Sequence, residues 1–225
     1  MIIFIGILVG KTVWSTAVTV WSGVGLPVWC SYGGVTCDSV VASQTYGRII
    51  SIDFSLAYII GSLPSSIGNL KVMKILNLHN NQIGNTIPSS IGDLTALTYL
   101  DLRTNSLIGP IPSSIGGLSS ATFLSLGQNL IYSTIPSSLN TLTNLKSLFL
   151  DNNFFDGSIP SLAALQLDNL YLYLNYLRPG DSPVVSPTTF STYTLQKDFK
   201  VWGNCFEFHY AAIDIFPTRC LNPGG

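Results

Sequence analysis

The chain has 225 residues, of which 47% are hydrophobic and only 9% are charged, and its formal net charge is −1. Soluble domains usually carry about a quarter charged residues, so two explanations stay open: many leucines and isoleucines in a regular buried core, or exposed apolar surface that meets a partner. Nucleic-acid binding needs a basic face, which ten basic residues offset by eleven acidic ones do not provide.

The N-terminal segment is apolar. Residues 1–9 contain almost no polar side chain, and Lys11 separates them from residues 12–20, which are rich in Thr, Val and Trp. Nine residues are too few to cross a bilayer as a helix, so the sequence predicts no integral membrane span. Two interpretations stay open: a secretory signal cleaved near Ala17, or a retained β-strand that lies along a sheet edge.

From Ile49 to Leu177 one pattern returns every 24 residues, which indicates a repeat array. Prolines and asparagines mark its phase: Pro64, Pro88, Pro112, Pro136 and Pro160, and Asn81, Asn105, Asn129 and Asn153. One unit reads Leu97-x-x-Leu100-x-Leu102-x-x-Asn105-x-Leu107-x-Gly109-x-Ile111-Pro112. About six such units follow one another.

Each unit predicts a short strand followed by a turn. Leu100 and Leu102 alternate with Asp101, so the leucines point inward while Asp101 and Arg103 point outward. The recurring asparagine can donate to and accept from backbone groups that the turn leaves unpaired. Stacked units would therefore form a buried ladder of amide hydrogen bonds.

These units resemble leucine-rich repeats of the plant-specific type, as in receptor-kinase ectodomains and polygalacturonase inhibitors. The resemblance implies an α/β repeat solenoid: a right-handed horseshoe of about six 24-residue coils with a concave parallel β-sheet and disulfide-bonded caps. It divides the chain into an N-terminal segment with a cysteine-containing cap (residues 1–48), the repeats (49–177) and a C-terminal cap (178–225).

The four cysteines lie in the two predicted caps. The run Trp29-Cys30 to Cys37-Asp38 resembles the N-terminal cap of plant-type repeats, which implies a Cys30–Cys37 disulfide. Cys205 and Cys220 would form the disulfide of the C-terminal cap. Cysteines confined to caps favour an oxidising compartment, so the sequence predicts an extracellular protein, secreted or at the cell surface.

The repeat register predicts an aromatic patch on the C-terminal half of the concave face. Aromatic side chains on an exposed sheet commonly anchor protein partners, although they also stabilise cross-strand contacts without any ligand. The predicted ligand-binding residues are Tyr99, Phe123, Phe149, Tyr171 and Tyr173.

A polar cluster is predicted on the same face from Asp53, His79, Asp101 and Arg103. Ser55, His79 and Asp101 could be combined into a Ser/His/Asp set, but an open sheet offers neither a pocket nor an oxyanion site. Arg103 would neutralise a carboxylate that a cation needs. The sequence therefore predicts no catalytic residues, no metal and no cofactor.

The resulting functional prediction is a non-enzymatic extracellular module that binds a protein or peptide through its concave face. The alternative is a self-assembling structural subunit of a fibre or cell-surface layer, since low charge and high hydropathy favour a homo-oligomer or filament. Ice binding through rows of Ser and Thr is a third and less favoured hypothesis, because Thr86 and Thr134 alternate along the repeats with Ser62, Pro110 and Ser158.

Overall fold

The computed structural model describes residues 4–8, 11–15, 30, 33–39, 47–162, 164–177 and 199–200. Within these ranges the chain forms three sheets joined by short turns. The strands are β1 (Phe4–Leu8), β2 (Lys11–Ser15), β3 (Val35–Cys37), β4 (Ile49–Asp53), β5 (Ile60–Ser62), β6 (Ile75–Asn77), β7 (Gln82–Thr86), β8 (Tyr99–Asp101), β9 (Ser106–Gly109), β10 (Phe123–Ser125), β11 (Leu130–Thr134), β12 (Ser147–Phe149), β13 (Phe154–Asp156), β14 (Asn169–Tyr171) and β15 (Phe199–Lys200).

The largest sheet takes one strand from each repeat, in the order β15-β14-β12-β10-β8-β6-β4-β3. Its strands from β4 to β15 pair in parallel, and β3 closes the N-terminal edge antiparallel to β4. Leu76, Leu100 and Leu124 are direct neighbours in this register. The predicted parallel sheet of the repeat array is confirmed, and it is called the concave sheet below.

Leucine and isoleucine side chains of successive coils stack into one continuous core. The inward residues of the concave strands are fully or almost fully buried, because alternation sends every second side chain to the same side. The innermost row consists of Ile52, Leu76, Leu100, Leu124, Leu148 and Leu170. Each coil thus buries its apolar face only against its neighbours, as expected of a repeat protein.

A second parallel sheet, which the sequence did not predict, runs beside the concave one. Its order is β13-β11-β9-β7-β5. Successive strands are staggered, so that Ile108 of β9 pairs with Leu130 of β11, and Tyr132 of β11 pairs with Phe154 of β13. The inward residues Ile83, Leu107 and Ile131 are buried, and the outward residues form a separate surface, named the outer face.

The paired serines begin short 3-10 turns rather than α-helices. These turns span Ser65–Asn69, Ser89–Asp93, Ser113–Gly117 and Ser137–Thr141. Each follows an extended proline, for example Pro112 with φ −66° and ψ 140°, which suits a residue with a fixed φ and no N–H. Among the described residues no helix is long and apolar enough to cross a membrane.

The asparagine ladder is confirmed. The Asn129 amide donates to the carbonyl oxygens of Leu102, Leu126 and Gly127 at 3.0–3.2 Å, and its Oδ1 accepts the Leu107 N–H at 3.0 Å. Equivalent bonds come from Asn81, Asn105, Asn153 and Asn175. One side chain per coil therefore satisfies backbone groups of its own coil and of the preceding one.

The described part of the N-terminal cap contains the predicted disulfide between Cys30 and Cys37. Strands β1 and β2 pair antiparallel as a hairpin, and β2 lies next to β5 at the N-terminal edge of the second sheet. The hairpin is a sheet of its own that lies beside the second sheet, and the choice between a secretory signal and a retained strand stays a prediction. Cys205 and Cys220 lie outside the described residues, as does most of the predicted C-terminal cap.

Replacing the central ladder residue should destabilise the fold. Asn129→Ala removes four hydrogen bonds to buried backbone groups, and leaving such groups unpaired costs roughly 3 kcal/mol. We expect a loss of at least about 2 kcal/mol in the free energy of unfolding, measured by urea denaturation. The control is Asn144→Ala, which removes one exposed hydrogen bond to Ser119 and should change the free energy of unfolding by less than about 0.5 kcal/mol. Equal losses of stability in both variants would contradict a special role for the ladder.

Candidate binding site on the concave sheet

The predicted aromatic residues form one continuous row across the concave sheet. Neighbouring ring centroids are 4.3 Å apart for Tyr99 and Phe123, 5.3 Å for Phe123 and Phe149, and 4.7 Å for Phe149 and Tyr171. Tyr173 extends the row at 5.8 Å from Tyr171. The structure thus brings all five side chains together, and the set is called the aromatic row.

The row crosses the sheet diagonally. Tyr99 and Phe123 precede the first buried leucine of their strands, whereas Phe149 and Tyr171 follow it. Each of the five side chains is half-buried, mainly because its neighbours in the row cover part of it. A diagonal strip of aromatic surface therefore faces the concave side over strands β8 to β14.

Ring orientation determines which atoms the row presents. Tyr99 and Phe123 are stacked at an interplanar angle of 9°, so each ring covers part of one face of the other. Phe149 and Tyr171 meet at 89°. Ring edges carry partial positive charge and ring faces partial negative charge.

Two tyrosines of the row are hydrogen-bonded to aspartates. The Tyr99 hydroxyl donates to Asp101 Oδ2 at 3.3 Å, and the Tyr173 hydroxyl bonds to Asp151. Burial raises the pKa of both phenols, and the nearby carboxylates raise it further because they disfavour a second negative charge. These bonds hold the two ends of the row in place.

The polar cluster predicted from the sequence is divided into two hydrogen-bonded groups. In the first, Asp53 accepts bonds from the Ser55 hydroxyl at 2.8 Å and from Asn77 Nδ2 at 3.0 Å. Burial alone would raise the pKa of Asp53, but these bonds outweigh it and lower the pKa below its ordinary value. His79 Nδ1 lies 2.9 Å from Asn80 Nδ2.

The second group consists of Asp101 and Arg103, and here one expectation is wrong. Asp101 was predicted to contribute to the outward surface, but its side chain is fully buried. Tyr99 bonds to it from one side, and Arg103 lies over it with Nε 3.3 Å from Oδ2 and its backbone N–H 3.1 Å from Oδ1. Long neighbouring side chains cover a short one even on the open face of a sheet.

A second buried aspartate on this face was missed by the sequence prediction of site residues. Asp151 is 5% exposed and lies against Gly127. A Cβ at Gly127 would stand 2.7 Å from Asp151 Oδ1, so any other residue there would require the carboxylate to shift. The signal was available in the repeat register, where a glycine occupies the position beside Asp151 on the preceding coil. Asp101 and Asp151 therefore both lie beneath the aromatic surface.

The described residues bring together no three His, Cys, Asp or Glu side chains that could hold a metal ion. The Ser55 hydroxyl donates to Asp53 and a ring nitrogen of His79 is within hydrogen-bond distance of Asn80, so neither side chain is arranged as a nucleophile and base. Fold and face together define a repeat solenoid whose concave sheet carries an aromatic row beside hydrogen-bonded polar groups.

Comparison with known families identifies that solenoid. The leucine-rich repeat region family matches residues 54–177, more than half of the chain. The protein therefore belongs to the leucine-rich repeat family. No curated protein sequence matches the chain.

Solved structures of plant proteins share the fold. The Arabidopsis receptor kinase HAESA ectodomain, bound to an IDA peptide hormone, has a TM-score of 0.65 and 29% identity over 78% of this chain and 28% of that one. The plant peptide hormone receptor RGFR1, in complex with RGF2, has a TM-score of 0.60 and 33% sequence identity, and the match covers 68% of this chain and 24% of the receptor chain. A plant ice-binding protein has a TM-score of 0.58 and 27% sequence identity, and the match covers 78% of this chain and 62% of that protein. The chain spans about a quarter of the length of the two hormone receptors.

The tyrosine–aspartate bonds predict a pH dependence. Because folding raises the pKa of Tyr99 and Tyr173 above 10.0, the native state retains phenol protons that the unfolded chain releases. The free energy of unfolding should therefore fall as pH rises above about 10, and less steeply in Tyr173→Phe.

Ultraviolet absorbance titration checks the cause. Asp151→Asn should lower the pKa of Tyr173, whereas Asp156→Asn, on the second sheet, should leave it unchanged. An unchanged titration curve for Asp151→Asn would show that the carboxylate has no influence on the phenol.

Proposed function

We propose that this protein binds an extended peptide, or an extended segment of a protein, through the aromatic row of its concave sheet. The observation that carries the proposal is the row itself: five aromatic side chains in unbroken contact, all partly accessible, on one open face. Aromatic side chains provide much of the binding energy at protein interfaces. The proposed site residues are Tyr99, Phe123, Phe149, Tyr171 and Tyr173.

The chemistry of the row fits a peptide. Its stacked rings offer apolar surface to side chains and positively polarised edges to backbone carbonyl oxygens. The carboxylate of Asp101 is buried and already bonded to Arg103 and Tyr99, so it is not available to a cationic ligand. An apolar or aromatic peptide segment satisfies these conditions best.

Related proteins support the same class of ligand. HAESA and RGFR1 are each seen in complex with a peptide hormone, and both share this fold at 29% and 33% identity. We extend peptide binding to the present chain on the strength of its own aromatic row. Binding rather than catalysis is proposed, because the aromatic row is the dominant accessible feature of the concave face and Asp53 and Asp101 are bonded to neighbouring side chains.

We further propose that the protein acts outside the cell, either secreted or at the cell surface. The Cys30–Cys37 disulfide supports this assignment, because disulfides persist in oxidising compartments. The similar receptor-kinase ectodomain points in the same direction.

Ice binding is less well supported, although one structural neighbour is an ice-binding protein. Exposed Thr86 and Thr134 occupy equivalent positions on the second sheet, but Pro110 stands between them. Bulky Tyr132 and Phe154 protrude from the same surface. The hydroxyl groups therefore do not form an uninterrupted flat row.

Selection from a displayed random-peptide library tests the proposal. The disulfide-bonded full chain is immobilised, and enriched peptides are measured for affinity by surface plasmon resonance. We expect apolar or aromatic consensus peptides whose Kd rises about 30-fold in Phe149→Ala and in Tyr171→Ala, the size of effect typical of a central interface residue.

The matched control is Ile108→Ala, which truncates a comparably exposed apolar residue on the second sheet, away from the aromatic row. Its peptide affinity should equal that of the wild type. Peptides that bind Phe149→Ala and Tyr171→Ala as tightly as the wild type would refute the site, and failure to enrich any peptide would refute the ligand class. Circular dichroism shows whether each variant is folded.

A further inference from the structure

The outer face of the second sheet carries a second apolar surface that the concave site does not use. Five large side chains form it, and they are called the outer patch. Their exposed fractions are 40% for Ile108, 47% for Leu130, 53% for Tyr132, 44% for Phe154 and 58% for Tyr176. Residues of this kind are normally buried, so a contiguous group of them needs an explanation.

The stagger of the second sheet makes these residues neighbours. Ile108 pairs with Leu130 across one strand boundary, and Tyr132 pairs with Phe154 across the next. Phe154 in turn stacks on Tyr176, with ring centroids 6.0 Å apart and an interplanar angle of 15°. The outer patch is therefore continuous from β9 to the coil that follows β13.

Charge is almost absent from this surface. Across the strands β5, β7, β9, β11 and β13 the single charged residue is Asp156, at the end of β13. Small polar residues, among them Ser106 and Thr134, surround the apolar side chains. An apolar centre with an uncharged polar rim is the anatomy of a homodimer interface.

The size of the outer patch also fits a dimer. Five large side chains that are about half exposed offer roughly 500 Å² of apolar surface. A standard interface takes about 800 Å² from each partner, and homodimer interfaces are about 65% apolar. The outer patch together with its polar rim therefore provides what one side of such an interface needs.

We infer that the outer patch is a two-fold interface between two copies of this chain. A second copy meets the surface with little electrostatic repulsion, because the net charge of each chain is only −1 and the one carboxylate, Asp156, lies at the end of β13. Two sheets pack face to face about 10 Å apart, and a two-fold arrangement closes on itself as a dimer.

Other parts of the described chain leave the outer patch open. The β1–β2 hairpin lies beside β5, at the opposite end of the second sheet. The concave sheet lies on another side of the coil, so dimerisation would leave both aromatic rows accessible. The inference is thus independent of the ligand proposed for the concave face.

Sedimentation velocity of the full chain over a range of concentrations tests the inference. The wild type should convert from the 24.3 kDa monomer to a species of twice that mass as its concentration rises. Leu130→Glu and Phe154→Thr should each weaken the dimer at least tenfold, since the first places a charge in the interface and the second removes an aromatic ring. Non-reducing electrophoresis of the same samples distinguishes this dimer from a disulfide-linked one.

Ile75→Thr is the matched control, because it removes a comparably exposed apolar side chain from the concave sheet. The dimer of this variant should be as stable as the wild-type dimer. A wild type that stays monomeric at about 100 μM, well above the Kd of a standard interface, would overturn the inference and assign the outer patch to another part of the chain or to a different protein. A dimer that tolerates both outer-patch substitutions would overturn it as well. The dilution series of the wild type can overturn the inference even if a variant fails to fold.

Discussion

The amide ladder is the interaction on which the whole solenoid depends. In every complete coil the chain turns sharply just before the ladder asparagine, through a residue with positive φ such as Thr104 at 54° or Gln128 at 55°. Such backbone conformations are unfavourable for residues other than glycine. The asparagine amide compensates by binding three carbonyl oxygens and one N–H. The same asparagine therefore stabilises the turn of its own coil and fixes the register in which that coil stacks on the preceding one.

A fixed register between coils has a direct consequence for the concave face. Residues 24 positions apart become neighbours about 5 Å apart, so a substitution in one repeat acts on the side chains of the next. Gly127 shows this coupling, since the missing side chain leaves space for Asp151. In the same way Tyr99 stacks on Phe123 because each occupies the same position of its own repeat. A surface is thus assembled from single residues that are distant in sequence.

The two sheets give the molecule two kinds of surface. The concave sheet combines aromatic rings with buried, hydrogen-bonded carboxylates. The outer face has a larger exposed fraction per side chain and hardly any charge, which favours contact with a matching apolar surface. Because the turn at the ladder separates the two strands of each coil, both surfaces can be occupied at the same time. The low overall charge of the chain is reflected in the outer face, whereas the character of the concave face depends on how its aromatic rings are arranged.

The sequence by itself determined the repeat array, because a 24-residue period places the recurring strand leucines on one side and gives each turn an asparagine that can pair its backbone; the resemblance to plant-type leucine-rich repeats then predicted the solenoid. It also predicted which aromatic residues lie side by side, since Phe149 and Tyr171 share a repeat position. Tertiary structure alone decided the burial of Asp101, which depends on how Tyr99 and Arg103 fold over it. It also decided the second sheet, whose staggered pairs join different repeat positions and so leave no simple alternation in the sequence. Periodicity predicts which residues are neighbours, but side-chain packing determines which atoms of those residues reach the solvent.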